Sequence, residues 1–207
     1  MGSVKTKAHA KPKPKPRPRS ATAEQILDVA EMLIETRSYA AFSYQDISDA
    51  LGITKASIHY HFASKAALGI AVVDRYAGRI DDALTQMDRD PAQSSHAMLD
   101  AYIGPYLQFA GTPDRICLCG ALAGEMMALP PAIRSRVDRF YRRHHAWLAG
   151  ILERGAQRQE FRLPAPAAKM AHLVLGALQG ALLVKRTTGD AAQVSDVVAV
   201  LKAQLRN

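Results

Sequence analysis

The stretch SYQDISDALGITKASIHYHFASK, residues 43–65, decides how the chain is read. In its first half Ile47, Ala50 and Leu51 recur at helical spacing behind Ser43, which stands where an N-cap would. Leu51-Gly52-Ile53 interrupts the pattern, and glycine accepts the positive φ that a tight helix-to-helix turn requires. Thr54 then caps a second short helix, Lys55-Ala56-Ser57-Ile58-His59-Tyr60-His61-Phe62. Only Ile58 and Phe62, four residues apart, are clearly apolar, so one narrow stripe packs inward. Lys55, Ser57, His59 and Tyr60 remain outside, a donor-rich face of the kind that reads DNA.

Outward from this core, Thr22-Ala23-Glu24-Gln25 reads as a capping box. It opens an amphipathic helix through Ile26, Leu27, Ala30, Leu33 and Ile34 to about Arg37. Tyr39-Ala40-Ala41-Phe42 is a connection. After Ser64-Lys65 a longer helix runs to about Met87, with Leu68, Val72, Val73, Tyr76 and Ile80 on one side. The combined pattern is T-x-x-Q-I-L-x-x-A, Y-x-A, S-x-x-D-I and L-G-I-T-K-A-S-I-x-x-H-F-x-S-K-x-x-L. Over residues 22 to 73 it resembles the TetR (tetracycline-repressor) family of bacterial transcription regulators. One departure is His59-Tyr60-His61, where many members carry Tyr-His-Tyr.

The resemblance implies an all-α chain of about nine helices. A basic arm (1–20) would precede a three-helix helix-turn-helix domain (21–68) and a helical effector-binding and dimerisation domain (69–207). It implies that residues 55–62 enter the major groove of double-stranded DNA. Lys55 and Ser57 are then candidates for base edges, with Ala56 small enough for close approach or a thymine methyl. Ser43, Tyr44, Thr54, His59, Tyr60 and Lys65 are candidates for phosphates, which position without specifying. For His59 and His61, packing within the domain is the competing role. A homodimer would present two such helices roughly 34–36 Å apart to a near-palindromic operator.

Charge confines where DNA affinity can come from. Of the net +8, seven charges sit in residues 1–20 with no acid among them, which leaves the remainder at +1. Within that arm KPKPKPRPR (11–19) alternates cation and proline, which forbids a helix interior. It is either a solubilising tail or an arm along DNA with Arg17 and Arg19 near a minor groove. The basic start lacks an apolar h-region, and no membrane-spanning run is evident, so a cytoplasmic location is expected. Two cysteines fit a reduced compartment.

Five more helices follow from residue 94, bounded by Pro113-Asp114, Pro130-Pro131, Pro164 with Pro166, and Gly189-Asp190. They are expected over 94–110, 115–129, 131–157, 167–188 and 190–205, the last opened by an Asp190/Gln193 capping box. Nothing alternates with period two, so no sheet is assigned. The last two helices are more apolar than a surface needs, either from burial in the monomer or from a two-fold four-helix interface. Leu173, Ala177, Gly180, Ala181, Val184, Val194, Val198 and Leu201 are the interface candidates.

A family member implies a small-molecule effector of unknown identity. Tyr102, Tyr106, Phe109, Cys117, Met126, Met127, His144, Trp147 and Gln179 are pocket candidates, each also explicable as core. Cys117 and Cys119 diverge on a helix, which disfavours a shared metal, and no metal or other cofactor is expected. They are either inert packed thiols or an oxidant sensor at Cys117. For the sensor, Cys-Leu-x-x-x-Leu-x-x-Glu with Lys185 resembles redox-responsive members. The remaining rivals are a sequence-blind DNA-coating protein and an enzyme, for which no nucleophile or acid–base constellation is visible.

Overall fold

The computed structural model describes residues 20–90 and 92–205, and the candidate arm contacts Arg17 and Arg19 lie outside the described residues. Among the described residues there are nine helices and no strand. They are α1 (Ala21–Arg37), α2 (Tyr44–Leu51), α3 (Lys55–His61), α4 (Lys65–Asp88), α5 (Ser95–Ala110), α6 (Leu118–Gly124), α7 (Pro131–Gln157), α8 (Ala167–Thr188) and α9 (Ala192–Gln204).

The four N-terminal helices start where short hydroxyl side chains take the orphan amides of the first turn. Ser20, rather than the expected Thr22, caps α1 by accepting from Ala23 N at 3.2 Å. Ser43 and Asp46 form a reciprocal capping box on α2. Thr54 caps α3 and Ser64 caps α4 in the same way. Gly52, at φ 65°, makes the turn between α2 and α3 and is where a side chain would be strained. Ile26, Leu27, Ile34, Phe42, Ile47, Ile58 and Leu68 are fully buried together, which locks α2 and α3 to α1 and α4.

Two helices of the C-terminal part need correction. The helix placed at 115–129 is shorter, Leu118–Gly124. Glu35 of α1 holds its approach: Arg115 grips the Glu35 carboxylate and Ile116 N donates to Glu35 O at 3.3 Å. That pairing takes residues 115–117 out of any helical ladder. The capping box at the start of α9 is also absent. Asp190 accepts instead from Ala192 N at 2.9 Å, so the helix begins at Ala192.

In the C-terminal body α7 packs on α4, α5 and α8, and α8 packs on α9. Contrary to the expectation that no run is apolar enough to span a membrane, α8 meets that test by length and composition, with half its apolar window buried in the chain. A helix with one face in the core and a second apolar face outward satisfies the same test. The outward face carries Leu173, Leu183 and Val184, each at least 43% exposed.

Helix α4 runs from the α1–α3 end into this body and is tied on both flanks. Arg75 pairs with Glu24, Asp28 and Glu31 of α1, and Arg79 also pairs with Glu31. On the other flank Asp74, Asp81 and Asp88, spaced by sevens, pair with Arg136, Arg143 and Arg154 of α7. Each of these α4–α7 pairs is partly exposed and contributes about 0–1 kcal/mol. Together they fix the register of α4 against α7.

Candidate DNA interface and effector cavity

Helix α3, the candidate reader, presents Lys55, Ala56, His59 and Tyr60 to solvent, with Thr54 beside them and Ser57 half-buried. Tyr60 is 86% exposed, its ring meeting that of His61 edge-on with centroids 5.1 Å apart. His59 leans on the Tyr44 ring, centroids 4.7 Å apart. Tyr44 in turn donates from its hydroxyl to Phe62 O at 2.8 Å, and burial raises its pKa to about 12. Tyr44 is thereby a brace between α2 and the end of α3. Ser43 is exposed at the start of α2, where its hydroxyl and amide hold the Asp46 carboxyl below the usual range.

Lys65 has a different placement from the phosphate contact expected. Its ammonium donates to Phe42 O at 2.5 Å and Ala40 O at 3.3 Å, and lies over the Tyr39 and Phe42 rings. Burial lowers its pKa. The same 38–43 connection is held from the far side by Glu125, whose carboxylate accepts from Tyr39 N and Ala40 N at 2.8 Å each. Lys65→Met is therefore expected to cost about 1–2 kcal/mol, seen as a fall of roughly 3–6 °C in Tm. Ser57→Ala should leave Tm unchanged and alter base preference. Melting curves beside binding isotherms on several DNA sequences separate the two.

Behind this domain lies a cavity of about 430 Å³ between α1, α4, α5 and α7. Five of the nine candidates line it: Tyr102, Tyr106, Phe109, Cys117 and His144. The other four do not. Met127 is 89% exposed and Met126 is half-buried just past the end of α6, because the chain turns outward there before Pro130. Trp147 stacks behind Tyr102, centroids 5.5 Å apart, and donates to Asp88 at 2.9 Å. Gln179 donates to the Tyr106 hydroxyl at 3.1 Å from behind the wall. Residues the sequence reading missed include Tyr76, Phe140, Arg79, Arg115, Glu31 and Glu35. The helical stripe through Tyr76 and Ile80 was a visible signal. The charged ones had none, since surface and mouth charges look alike in one dimension.

The interior is unusual in its titratable groups. Burial pushes the Tyr76 and Tyr106 phenols well above their ordinary range, so they act as neutral donors. Tyr76 donates to Cys117 Sγ at 3.3 Å. Cys117 and Cys119 are both free and buried, and burial raises the Cys119 thiol. Lys185, the expected partner for a reactive thiolate, is 3% exposed and engaged with the Phe109 and Thr112 carbonyls at the end of α5. In the cavity wall, burial raises the Glu35 carboxyl pKa despite the Arg115 guanidinium beside it. Burial, then the charge of Arg143, lowers the His144 pKa to about 4, so its ring is neutral.

The interface candidates divide in two. Ala181, Val194, Val198 and Leu201 are buried inside the chain, between α8, α9 and the body. Leu173 and Val184 are exposed, with Ala177 and Gly180 half-exposed between them on one stripe of α8. Leu183 of α8 and Val200 of α9 are further exposed apolar side chains and were not anticipated. Gly176 and Gly180 have nothing within 4 Å of where a Cβ would stand, which leaves room for another helix to approach.

A helix-turn-helix carried on a helical body that encloses a cavity defines a DNA-binding regulator. Residues 26–72 match the family described as bacterial regulatory proteins, tetR family, and residues 95–201 match the tetracyclin repressor-like, C-terminal domain. The chain belongs to the TetR family of transcriptional regulators. It is similar to an uncharacterized HTH-type transcriptional regulator in the lacX 3′ region of Lactococcus lactis, 26% identical over 183 residues, covering 82% of this chain and 85% of that one. It is 27% identical over 139 residues to the HTH-type transcriptional repressor NemR of Escherichia coli K12, covering 66% and 69% of the two chains. Among solved structures, a TetR-family regulator from Agrobacterium tumefaciens aligns with TM-score 0.84 at 31% identity, covering 90% of this chain and 98% of that one.

Proposed function

We propose that the chain is a homodimeric repressor that binds a near-palindromic operator and is released from it by a small, largely apolar effector. One observation carries this: Glu31 and Glu35, side chains of α1 in the DNA-binding domain, line the same cavity as α4, α5 and α7. An occupant touches the DNA-binding domain and the body at once. It shifts the equilibrium only by preferring the arrangement in which the readers are wrongly spaced. The ion pairs of Glu31 with Arg79 and of Glu35 with Arg115 are the contacts such an occupant would rearrange.

Within this reading Lys55, Ala56 and Ser57 meet base edges. Thr54, His59, Tyr60 and Ser43 meet phosphates, while Tyr44 and Lys65 hold the domain that presents them. The exposed stripe of α8 pairs with its copy across a two-fold axis, the arrangement that spaces two readers one helical turn apart. Repression agrees with the name of the E. coli relative.

Selection of genomic fragments by the purified protein, then footprinting, tests the reading. The expected result is a protected inverted repeat with half-sites about one turn apart. Equal affinity for every fragment would favour sequence-blind coating instead. A second reading, oxidant sensing at Cys117, draws on the position of that sulfur in the cavity wall and on the Tyr76 hydroxyl that donates to it. Mild peroxide is then expected to abolish operator binding in the unaltered protein and not in Cys117→Ser, measured by gel shift.

A further inference from the structure

One buried carboxylate of the cavity wall is answered by a cation that is free to leave. The Glu35 side chain on α1 is 1% exposed, whereas the Arg115 side chain that pairs with it is 42% exposed. Arg115 donates from Nε and Nη2, at 2.9 and 2.5 Å, to a single carboxylate oxygen, Oε2. The other oxygen, Oε1, accepts no hydrogen bond among the described residues. The guanidinium carbon also lies 5.7 Å from the centre of the Phe109 ring, and Glu35, Arg115 and Phe109 all line the same cavity. A cation is thus held in the wall against both a buried carboxylate and an aromatic ring, the two groups that recognise organic cations.

Arg115 precedes α6 and belongs to no helix, so turning it outward rehydrates a charge that is already partly wet. The neighbouring acid has no such freedom. Glu31 is held by Arg79 and also by the largely buried Arg75, which pairs with Glu24 and Asp28 as well.

What can replace Arg115 follows from what its departure leaves behind. A buried carboxylate stripped of its partner is strongly destabilising, so a neutral or anionic occupant that pushed Arg115 aside would strand Glu35. An occupant that brings its own cation would not. Burial already raises the Glu35 carboxyl pKa with Arg115 beside it, so a positive group that answers both oxygens is stabilised there. The two arginines of the wall do not cancel this attraction. Their side chains are 42% and 51% exposed and screened by water, whereas those of Glu35 and Glu31 are 1% and 11% exposed. Tyr76, Tyr102, Tyr106 and Phe140 add four more rings to the lining.

We propose that the cavity selects organic monocations with a flat, apolar body, such as aryl amidinium ions, and that Arg115 is the internal stand-in such a cation displaces from Glu35. This rests on the reading of the cavity as the effector site and adds the charge by which that site discriminates. Release of Arg115 also loosens the tie between α1 and the segment that leads into α6.

The test uses three probes of one shape and different charge: biphenyl-4-carboxamidine as cation, biphenyl-4-carboxamide as neutral molecule and biphenyl-4-carboxylate as anion. Affinities for the full chain are measured by equilibrium dialysis at neutral pH. The amidine should bind ~10-fold or more tightly than the amide, with the carboxylate weakest. The chain carries a net charge of +8, so bulk attraction runs against this order. Glu35→Gln should bring the amidine down to the level of the amide. Arg115→Ala should do the reverse and raise the affinity for the amidine several-fold, because the internal competitor is gone. A purely structural ion pair would give no such charge-selective gain. Weaker amidine binding in Arg115→Ala would overturn the displacement. Equal uptake of amidine and amide, or tightest binding by the carboxylate, would overturn the charge selection and leave the cavity standing as a binding site. Should Glu35→Gln fail to fold, the three probes on the unaltered chain and on Arg115→Ala still decide. If none of the three is taken up, the cavity reading falls and the proposal with it.

Discussion

Leu173→Glu combined with Val184→Glu is expected to leave the chain folded, make it monomeric and weaken operator binding by about 10³-fold, to the level of random DNA. Both side chains are at least 43% exposed in the isolated chain, so neither substitution buries a charge within it. Exposed substitutions of this kind alter monomer stability by about 0.5 kcal/mol or less. In a two-fold pairing of α8 each new carboxylate would face the other chain's apolar stripe or its own copy. A half-site contact alone then supports binding, and the sequence-independent phosphate attraction is all that remains. Analytical ultracentrifugation with footprinting on one sample decides it. A variant that stays dimeric, or a monomer that still protects the full repeat, would contradict the assignment of this face.

The second large effect is an acid-side loss of stability that originates at His144. Its folded pKa, near 4, lies below the unfolded value of about 6.5, so the unfolded chain binds the extra proton first. Stability therefore falls as pH drops from 6.5 toward 4, and by pH 4 the loss reaches about 3 kcal/mol. The contribution is fully present above pH 6.5. Glu35 works in the opposite sense, because its raised folded pKa stabilises the folded chain as pH falls through the range just above 4.5. Comparison with His144→Phe isolates the histidine. The stability difference between the two proteins, from urea unfolding, should change by about 3 kcal/mol between pH 7 and pH 4. A constant difference would mean that the ring is solvated.

Local pattern carried the DNA-binding end. Ser43, Gly52, Thr54 and Ser64 stop and start helices by interactions within four residues, and such interactions are readable in one dimension. The stripe of Ile26, Leu27, Ala30, Leu33 and Ile34 likewise located α1 to within two residues. What resisted reading were pairings across tens of residues. Nothing near Arg115 reveals that Glu35, eighty positions earlier, would hold it out of a helix. Lys65 resembled a phosphate contact because a lysine beside a reader usually faces outward. The backbone carbonyls of Ala40 and Phe42 claim it instead. On α8 and α9 periodicity found the apolar positions and could not divide them, because the core and a partner chain ask for the same side chains. That division, Val194 and Val198 inward and Leu173 and Val184 outward, needed the packing itself.

The heptad of aspartates on α4, Asp74, Asp81 and Asp88, has a consequence for how the molecule behaves in brine. Those links, with the arginines Arg75 and Arg79 on the other flank, are ionic and partly wet, whereas the cores they join are oily. Concentrated electrolyte shrinks the reach of such charges to about 3 Å at 1 M without dissolving either core. The rod would then lose stiffness before anything melts, and an occupant at one end would stop being felt at the other while both ends kept their shape.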